Sequence, residues 1–335
     1  MYDFCTYFDH NYLPKGLALY HSLVRSCLNF RLFVLCLSKE CYNTLSELNL
    51  DNVQLIQLDE FEKGDEDLLR AKQNRTLIEY YFTITPSLPL YIFKHYPADI
   101  ITYLDSDLYF FEDPKPIFEE IGNKSIAIIA HRFPPKLREL EIFGKFNVGW
   151  MTFRRDKNGL SCLDWYRTKC IEWCHDRVEK GRYADQKYLN YFQDQFEGVI
   201  VIQYKGANLA PWNIDNYNLR IKNNSIFVDN EKLCFFHFQG LKHIMGPLYD
   251  SGFCNYGAKL NEIIRKHIYT PYLYSIISLN QGRKSKINGI RMSELRFAFF
   301  ENTFTKVFKI LRRIKRVGKI LITKTFIVYY KHRTG

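Results

Sequence analysis

Along its first two hundred residues, the chain alternates short apolar runs with segments in which apolar residues recur at helical spacing. Such alternation predicts β-strands separated by α-helices, and therefore a mostly parallel sheet with helices on both faces. The predicted strands are 2–8, 30–37, 53–58, 99–104, 125–130, 148–153 and 198–203. The predicted helices lie between them at 13–28, 40–48 and 75–95, the last interrupted by two prolines. The pattern is typical of an α/β fold.

From about residue 258 the pattern becomes helical and then strongly basic, which predicts a boundary between residues 1–257 and 258–335. Residues 279–291 are rich in turn-forming and basic side chains, and we predict a loop there between two helical pieces. The net charge of +11 comes from the end of the chain. Residues 306–335 hold ten of the 47 Lys and Arg residues and no acid, so the rest holds 37 bases against 36 acids. We therefore predict a helical, basic C-terminal extension.

The tail, residues 303–335, has the pattern of a basic amphipathic helix. Apolar side chains recur on one face at Phe304, Val307, Phe308, Leu311 and Ile314, and bases lie opposite at Lys309, Arg312, Arg313 and Arg316. Two interpretations stay open: docking on an anionic membrane surface, or packing of the apolar stripe on the protein body. Nucleic acid is not an expected partner, because no nucleic-acid motif accompanies the charge and the body is nearly neutral.

Composition bounds the class of protein and its location. Hydrophobic residues make up 47% of the chain and charged residues 25%, which excludes a disordered or low-complexity protein. The nine cysteines form no C-x-x-C pair, and we predict that they are reduced and packed as small apolar side chains. No signal peptide is visible, and no apolar stretch reaches the ~18 residues of a membrane-spanning helix. The expected location is the cytoplasm, peripheral at the inner face of the membrane if the tail docks there.

Asp105-Ser106-Asp107 follows the predicted strand at 99–104, where open α/β sheets bind ligands. Residues i and i+2 of an extended segment point to the same side, so two carboxylates would lie together beside a buried sheet. A divalent ion such as Mg²⁺ or Mn²⁺, bridging to phosphate oxygens, would compensate their charge. The alternative is a turn in which the two aspartates only cap the backbone.

Two further polar groups follow apolar runs. Asp9, Asn11 and Tyr12 come between the first strand and the first helix, so they would either bind a nucleobase and ribose or cap the helix. His237 follows an apolar run, and Lys242 comes five residues later. The imidazole would add a ligand for a first-row ion, and the lysine would neutralise a phosphate. The alternative for His237 is a strand-end histidine satisfied by its neighbours.

Taken in order, six segments resemble the nucleotide-sugar-dependent glycosyltransferases of the GT-A fold, closest to family 8 and related bacterial glycosyltransferases. The segments, within about residues 2–245, are TYFDHNYLPKGLALYHSL, DIITYLDSDLYFFEDPKPIFE, FNVGWMTFRRD, YADQKYLNYF, NLAPWNI and HFQGLK. The resemblance implies a Rossmann-like GT-A fold and a hexosyltransferase of EC class 2.4 that uses a nucleotide-diphosphate sugar. It implies UDP-hexose as donor, retention of configuration, and a glycan or lipid-linked saccharide acceptor in surface polysaccharide or glycolipid synthesis.

The same resemblance implies roles for individual residues. Asp105, Asp107 and His237 would hold Mn²⁺ or Mg²⁺ on the donor diphosphate. The donor-binding residues would include Asp9, Asn11, Tyr12, Asn147 and Lys242, and the catalytic residues would be Asp185 and Gln186. Where the family has an arginine after a Tyr-Tyr pair this chain has Phe82, so Lys72 or Arg75 would take that role. The last motif also differs, because Lys242 comes one place early and the Pro-Trp that follows in the family is missing.

Two mechanisms and two other functions stay open. With retention, the acceptor hydroxyl would attack from the leaving-group side, and a phosphate oxygen would take its proton. With inversion, Asp185 would be the base. A sugar-nucleotide pyrophosphorylase shares the sheet, but it opens with a glycine-rich basic loop where this chain has Asp9-His10-Asn11-Tyr12. The other alternative is a non-catalytic sugar- or nucleotide-binding protein on a GT-A scaffold.

Overall fold

The computed structural model describes residues 1–286 and 315–329. The chain divides into two compact units, Met1–His237 and Phe238–Gly335. The predicted boundary at 257/258 stays a prediction. All nine cysteines are buried and unpaired. Among the described residues, no helix combines the length and the apolarity that crossing a bilayer requires.

The first unit is built on strands from along its whole length. They are β1 (Tyr2–Phe8), β2 (Phe30–Cys36), β3 (Val53–Gln57), β4 (Ile100–Leu104), β5 (Leu108–Phe110), β6 (Ile126–Ala130), β7 (Phe146–Arg154), β8 (Val199–Ile202), β9 (Leu219–Lys222), β10 (Ser225–Val228), β11 (Glu231–Lys232) and β12 (Phe235–His237). Seven form the central sheet in the order β3-β2-β1-β4-β7-β6-β8. Six of these run parallel, and β7 is antiparallel to both of its neighbours. The predicted mostly parallel sheet is confirmed.

Helices connect these strands. They are α1 (Leu13–Ser26), α2 (Lys39–Leu48), α3 (Leu58–Phe61), α4 (Glu66–Gln73), α5 (Leu77–Ile84), α6 (Ser87–His95), α7 (Lys115–Ile121), α8 (Lys157–Glu172) and α9 (Phe192–Gln195). Local signals set several of the starts: Ser38 caps α2, Asp156 caps α8, and Thr76 forms a capping box with Glu79 on α5.

Alternate residues of the strands cover opposite faces of the sheet. Cys5 and Tyr103 belong to a buried cluster with Tyr80 of α5 and Tyr166 of α8. The neighbouring Phe4 points the other way, and its ring contacts the rings of Phe110, Phe118 and Trp150. Because α5 and α8 pack on one face and α7, through Phe118, packs on the other, helices cover both faces as predicted.

The second unit contains three antiparallel strands, β13 (Lys242–Met245), β14 (Leu248–Asp250) and β15 (Phe326–Val328), in the order β13-β14-β15. It also contains a π-helical segment, Ile264–Tyr269, which continues into α10 (Thr270–Lys286), and helical residues 315–322. Ile320 is fully buried against Ile244 and Cys254. Residues 315–329 therefore form part of the body of this unit.

Two expectations about the C-terminal region need correction. The predicted loop at 279–291 is wrong up to Lys286, because α10 continues that far. Gln, Arg and Lys are good helix formers, and a single glycine is not enough to end the helix. Residues 326–328 form a strand in an extension expected to be helical, and their aromatic and β-branched side chains favour it. The apolar stripe from Phe304 to Ile314 lies outside the described residues.

Candidate functional site

Three predicted metal ligands come together at the end of β4. Asp105, Ser106 and Asp107 form the turn between β4 and β5, closed by the Leu108 amide, which donates to the Asp105 carbonyl oxygen at 3.2 Å. Strand β12 pairs with β5 so that His237 lies opposite Leu108. This pairing brings His237, 130 positions further along the sequence than Asp107, beside the two aspartates.

The geometry of this cluster suits a divalent cation. One ligand atom from each of Asp105, Asp107 and His237 can be chosen so that all lie within 4.8 Å of one another. His237 Nε2 is 3.1 Å from Asp107 Oδ1 and 3.6 Å from Asp105 Oδ2. The His237 side chain is 4% exposed, while Asp105 is 29% exposed, so the cluster is open on the Asp105 side. Two carboxylates and an imidazole are a donor set that Mn²⁺ accepts, so the residues fit the ion that the fold implies.

The electrostatics of the cluster favour a bound positive charge. Burial raises the pKa of Asp105, although His237 opposes the shift. Burial would also raise the pKa of Asp107, but the positive charges of His237 and Lys15 outweigh it, and the pKa is below its usual value. The pKa of His237 is raised, because its attraction to the two carboxylates outweighs the effect of burial. The ammonium of Lys15 therefore supplies positive charge beside the two carboxylates, as a bound metal ion would.

Lys15 was missed by the sequence analysis. It lies in the first turn of α1, with Nζ 3.6 Å from Asp107 Oδ2 and 4.3 Å from the centre of the Tyr12 ring. The sequence did carry a signal for Lys15. It comes three residues after Tyr12, on the helix that follows the predicted nucleotide turn, and residues three apart share a helix face.

The turn at residues 9–12 is organised by Asp9. One carboxylate oxygen accepts hydrogen bonds from the amides of Asn11 at 2.9 Å and Tyr12 at 3.1 Å, and the other accepts from the Asn11 side chain at 2.9 Å. The N-cap of α1 is Tyr12. Asp9 therefore closes the turn before the helix rather than capping the helix itself. Asn11 and Tyr12 are exposed and accessible to a ligand.

Asn147 is held close to His237 by a glycine. Its Oδ1 accepts a hydrogen bond from the Gly149 amide at 3.1 Å, and its Nδ2 is 3.3 Å from Nε2 of His131. A Cβ atom on Gly149 would lie 2.6 Å from Asn147 Oδ1 and 2.9 Å from His237 Nδ1. Burial lowers the pKa of His131 to about 3, so its ring is neutral at physiological pH. His131 is a second residue that the sequence analysis missed.

Asp185 is a buried carboxyl group. Its side chain is 3% exposed, and Oδ2 has no hydrogen-bond partner. Burial raises its pKa to about 7, and the negative charge of Asp105 adds to the shift. Next to Asp185, Gln186 begins a short 3₁₀-helix, Gln186–Tyr191, and its Nε2 donates to the Phe143 carbonyl oxygen at 3.2 Å.

Two of the other cations named by the sequence analysis, Lys72 and Arg75, have partners outside this cluster. Lys72 donates to both carboxylate oxygens of Glu62, at 2.7 and 2.8 Å. Arg75 donates to the side chain of Asn74 and, at 3.2 Å, to the Ile171 carbonyl oxygen. Lys242 begins β13 in the second unit and is exposed. The donor-binding roles of these three residues stay predictions.

No family model matches the sequence. The chain is 32% identical over 279 residues to the uncharacterised Bacillus subtilis (strain 168) protein YfnD, covering 82% of this chain and 88% of YfnD. It is 29% identical over 248 residues to YfnF of the same strain, also uncharacterised, covering 71% of this chain and 81% of YfnF. The crystal structure of the galactosyltransferase LgtC, in complex with donor and acceptor sugar analogues, is similar with a TM-score of 0.50 at 18% identity. That match covers 71% of this chain and 87% of LgtC, and it confirms the predicted GT-A fold.

Proposed function

The chain belongs to the family of Bacillus subtilis YfnD, and from that premise and its GT-A fold we propose that it is a metal-dependent glycosyltransferase using a nucleotide-diphosphate sugar. The observation that carries the proposal is the cluster of Asp105, Asp107 and His237, whose ligand atoms lie within 4.8 Å of one another at a strand end of the central sheet. The proposed donor is a UDP-hexose, and the proposed acceptor is a glycan or lipid-linked saccharide in surface polysaccharide or glycolipid synthesis.

The cluster would hold Mn²⁺ or Mg²⁺, which would neutralise negative charge on the diphosphate as the glycosidic bond breaks. The chain's own residues would orient the donor. The turn organised by Asp9 would present Asn11 and Tyr12, both exposed, to the nucleobase and ribose. Asn147, fixed between His131 and Gly149, would lie beside the donor sugar.

Asp185 and Gln186 would lie near the reacting carbon. Oδ2 of Asp185 is buried and has no hydrogen-bond partner, so a sugar hydroxyl that reached it would satisfy it. We propose retention of configuration, in which Asp185 orients the sugar and a phosphate oxygen takes the acceptor proton. In the inverting alternative Asp185 would be the base, and a pKa of about 7 would suit that role at neutral pH.

The proposal is tested by thermal unfolding with UDP, GDP, CMP and dTDP, each with Mn²⁺ and with chelator. We expect UDP to raise the melting temperature only with Mn²⁺, because a ligand that binds only the folded state stabilises it. No shift with any nucleotide would contradict the proposal. Metal-dependent binding without turnover of any nucleotide sugar would favour the non-catalytic scaffold. Formation of a nucleotide sugar and pyrophosphate from a nucleoside triphosphate and a sugar 1-phosphate would favour the pyrophosphorylase.

We also propose that the protein works at the anionic inner face of the membrane. In the described part of the tail, Leu321 is 48% and Ile322 is 84% exposed, and Lys319 and Lys324 beside them are exposed too. Apolar side chains next to bases suit an anionic lipid surface. We expect the full chain to float with vesicles containing phosphatidylglycerol, and Leu321→Ser with Ile322→Ser to weaken this. The proposal would be contradicted if the protein floated equally well with neutral vesicles, or if it did not float with the anionic vesicles at all.

A further inference from the structure

The ammonium group of Lys15 lies between two parts of the proposed donor site. On one side Nζ is 3.6 Å from Asp107 Oδ2, and on the other it is 4.3 Å from the centre of the Tyr12 ring. The Lys15 side chain is 18% exposed, so the cation is largely enclosed by these neighbours. Among the described residues of the first unit, Lys15 is the one lysine or arginine that forms an ion pair with the cluster of Asp105, Asp107 and His237.

This position gives Lys15 access to a bound nucleoside diphosphate. Tyr12 belongs to the turn proposed to hold the nucleoside, and Asp107 belongs to the cluster proposed to hold the metal on the diphosphate. In that arrangement, a cation between Tyr12 and Asp107 would lie where the ribose joins the phosphates. Lys72 and Arg75, two other candidates for that charge, bind Glu62 and the carbonyl oxygen of Ile171 instead.

We propose that Lys15 is a donor-binding residue that exchanges partners, pairing with Asp107 in the metal-free protein and with the donor diphosphate once metal and nucleotide are bound. The inference rests on the proposed function. Lys15 and a divalent cation would compete for the same carboxylate, and two positive charges a few ångströms apart repel each other. A diphosphate brings enough negative charge for both cations, so Lys15 opposes metal binding alone but favours nucleotide binding in the presence of metal.

The test is Lys15→Met, which keeps an unbranched side chain of similar length and removes the charge. Titration calorimetry of the full chain would measure Mn²⁺ binding without nucleotide, and UDP binding at saturating Mn²⁺. We expect Mn²⁺ to bind several-fold more tightly than to the wild-type protein and UDP to bind about tenfold more weakly, a change equivalent to about 1.4 kcal/mol. Lys15→Arg is expected to restore most of the UDP affinity.

The matched control is Lys205→Met, which makes the same change in charge at a lysine paired with Asp229 at 2.8 Å. It should leave both dissociation constants unchanged. If Lys15→Met leaves both unchanged, or weakens both, the exchange of partners is overturned while the proposed function stands. If the wild-type protein binds neither Mn²⁺ nor UDP, the proposed function fails and the Lys15 assignment fails with it.

Discussion

Replacing Asp185 by Asn should change how the stability of the protein depends on pH. The Asp185 side chain is 3% exposed, and burial raises its pKa from 3.8 to about 7. Between these values the folded protein keeps a proton that the unfolded chain has released, so stability falls as pH rises through this window. The raised pKa corresponds to a loss of up to about 4 kcal/mol of stability between pH 4 and pH 8.

The assay is urea unfolding of the wild-type protein and of Asp185→Asn, each at pH 4 and at pH 8. The amide carries no charge, so the variant should gain stability relative to the wild type by up to about 4 kcal/mol on going from pH 4 to pH 8. An unsatisfied polar atom of the buried amide costs about 1–3 kcal/mol at either pH, and this cost cancels in the difference. Asp164→Asn, an exposed position on α8, is the control and should show no such change. If the difference in unfolding free energy between the wild type and Asp185→Asn is the same at pH 4 and at pH 8, the reasoning is refuted.

Two further predictions concern the metal cluster. Asp107→Asn should weaken Mn²⁺ binding by at least about 100-fold, because it removes a charged ligand. The control, Asp113→Asn, lies outside the cluster and should leave Mn²⁺ binding unchanged. Titration calorimetry measures the affinity of both variants. A Mn²⁺ affinity retained in Asp107→Asn would remove that residue from the site. Gly149→Ala should lower Mn²⁺ affinity at least tenfold and cost about 1–3 kcal/mol of stability, because its Cβ would displace Asn147 and His237. An unchanged dissociation constant and melting temperature would show that the backbone adjusts.

The central sheet was predictable because its signals are local. Apolar runs of strand length, such as residues 30–37, alternate with helices, and the observed strand β2 differs from that prediction by one residue at its end. The strand at 326–328 was not predictable in the same way. It follows a basic helical stretch, and its pairing with β14 joins residues more than 70 positions apart in the sequence.

The candidate site was predictable in part. The spacing of Asp105 and Asp107 after a strand indicated a metal site, but the place of His237 depends on the pairing of β12 with β5, which connects distant parts of the chain. Lys15 was missed because its contact with Asp107 depends on how α1 packs. The sequence identified Asp185 as a candidate, but its burial and raised pKa follow only from the packed structure.

The most direct test of the central claim is the release of UDP from UDP-hexoses by the purified protein, followed in Mn²⁺ and in EDTA, with Asp107→Asn beside the wild type. The account predicts that at least one UDP-hexose is turned over in Mn²⁺, that EDTA abolishes the release, and that Asp107→Asn releases no UDP while remaining folded. Release that persists in EDTA, or that is unchanged in Asp107→Asn, would contradict a metal-dependent glycosyltransferase centred on Asp105, Asp107 and His237.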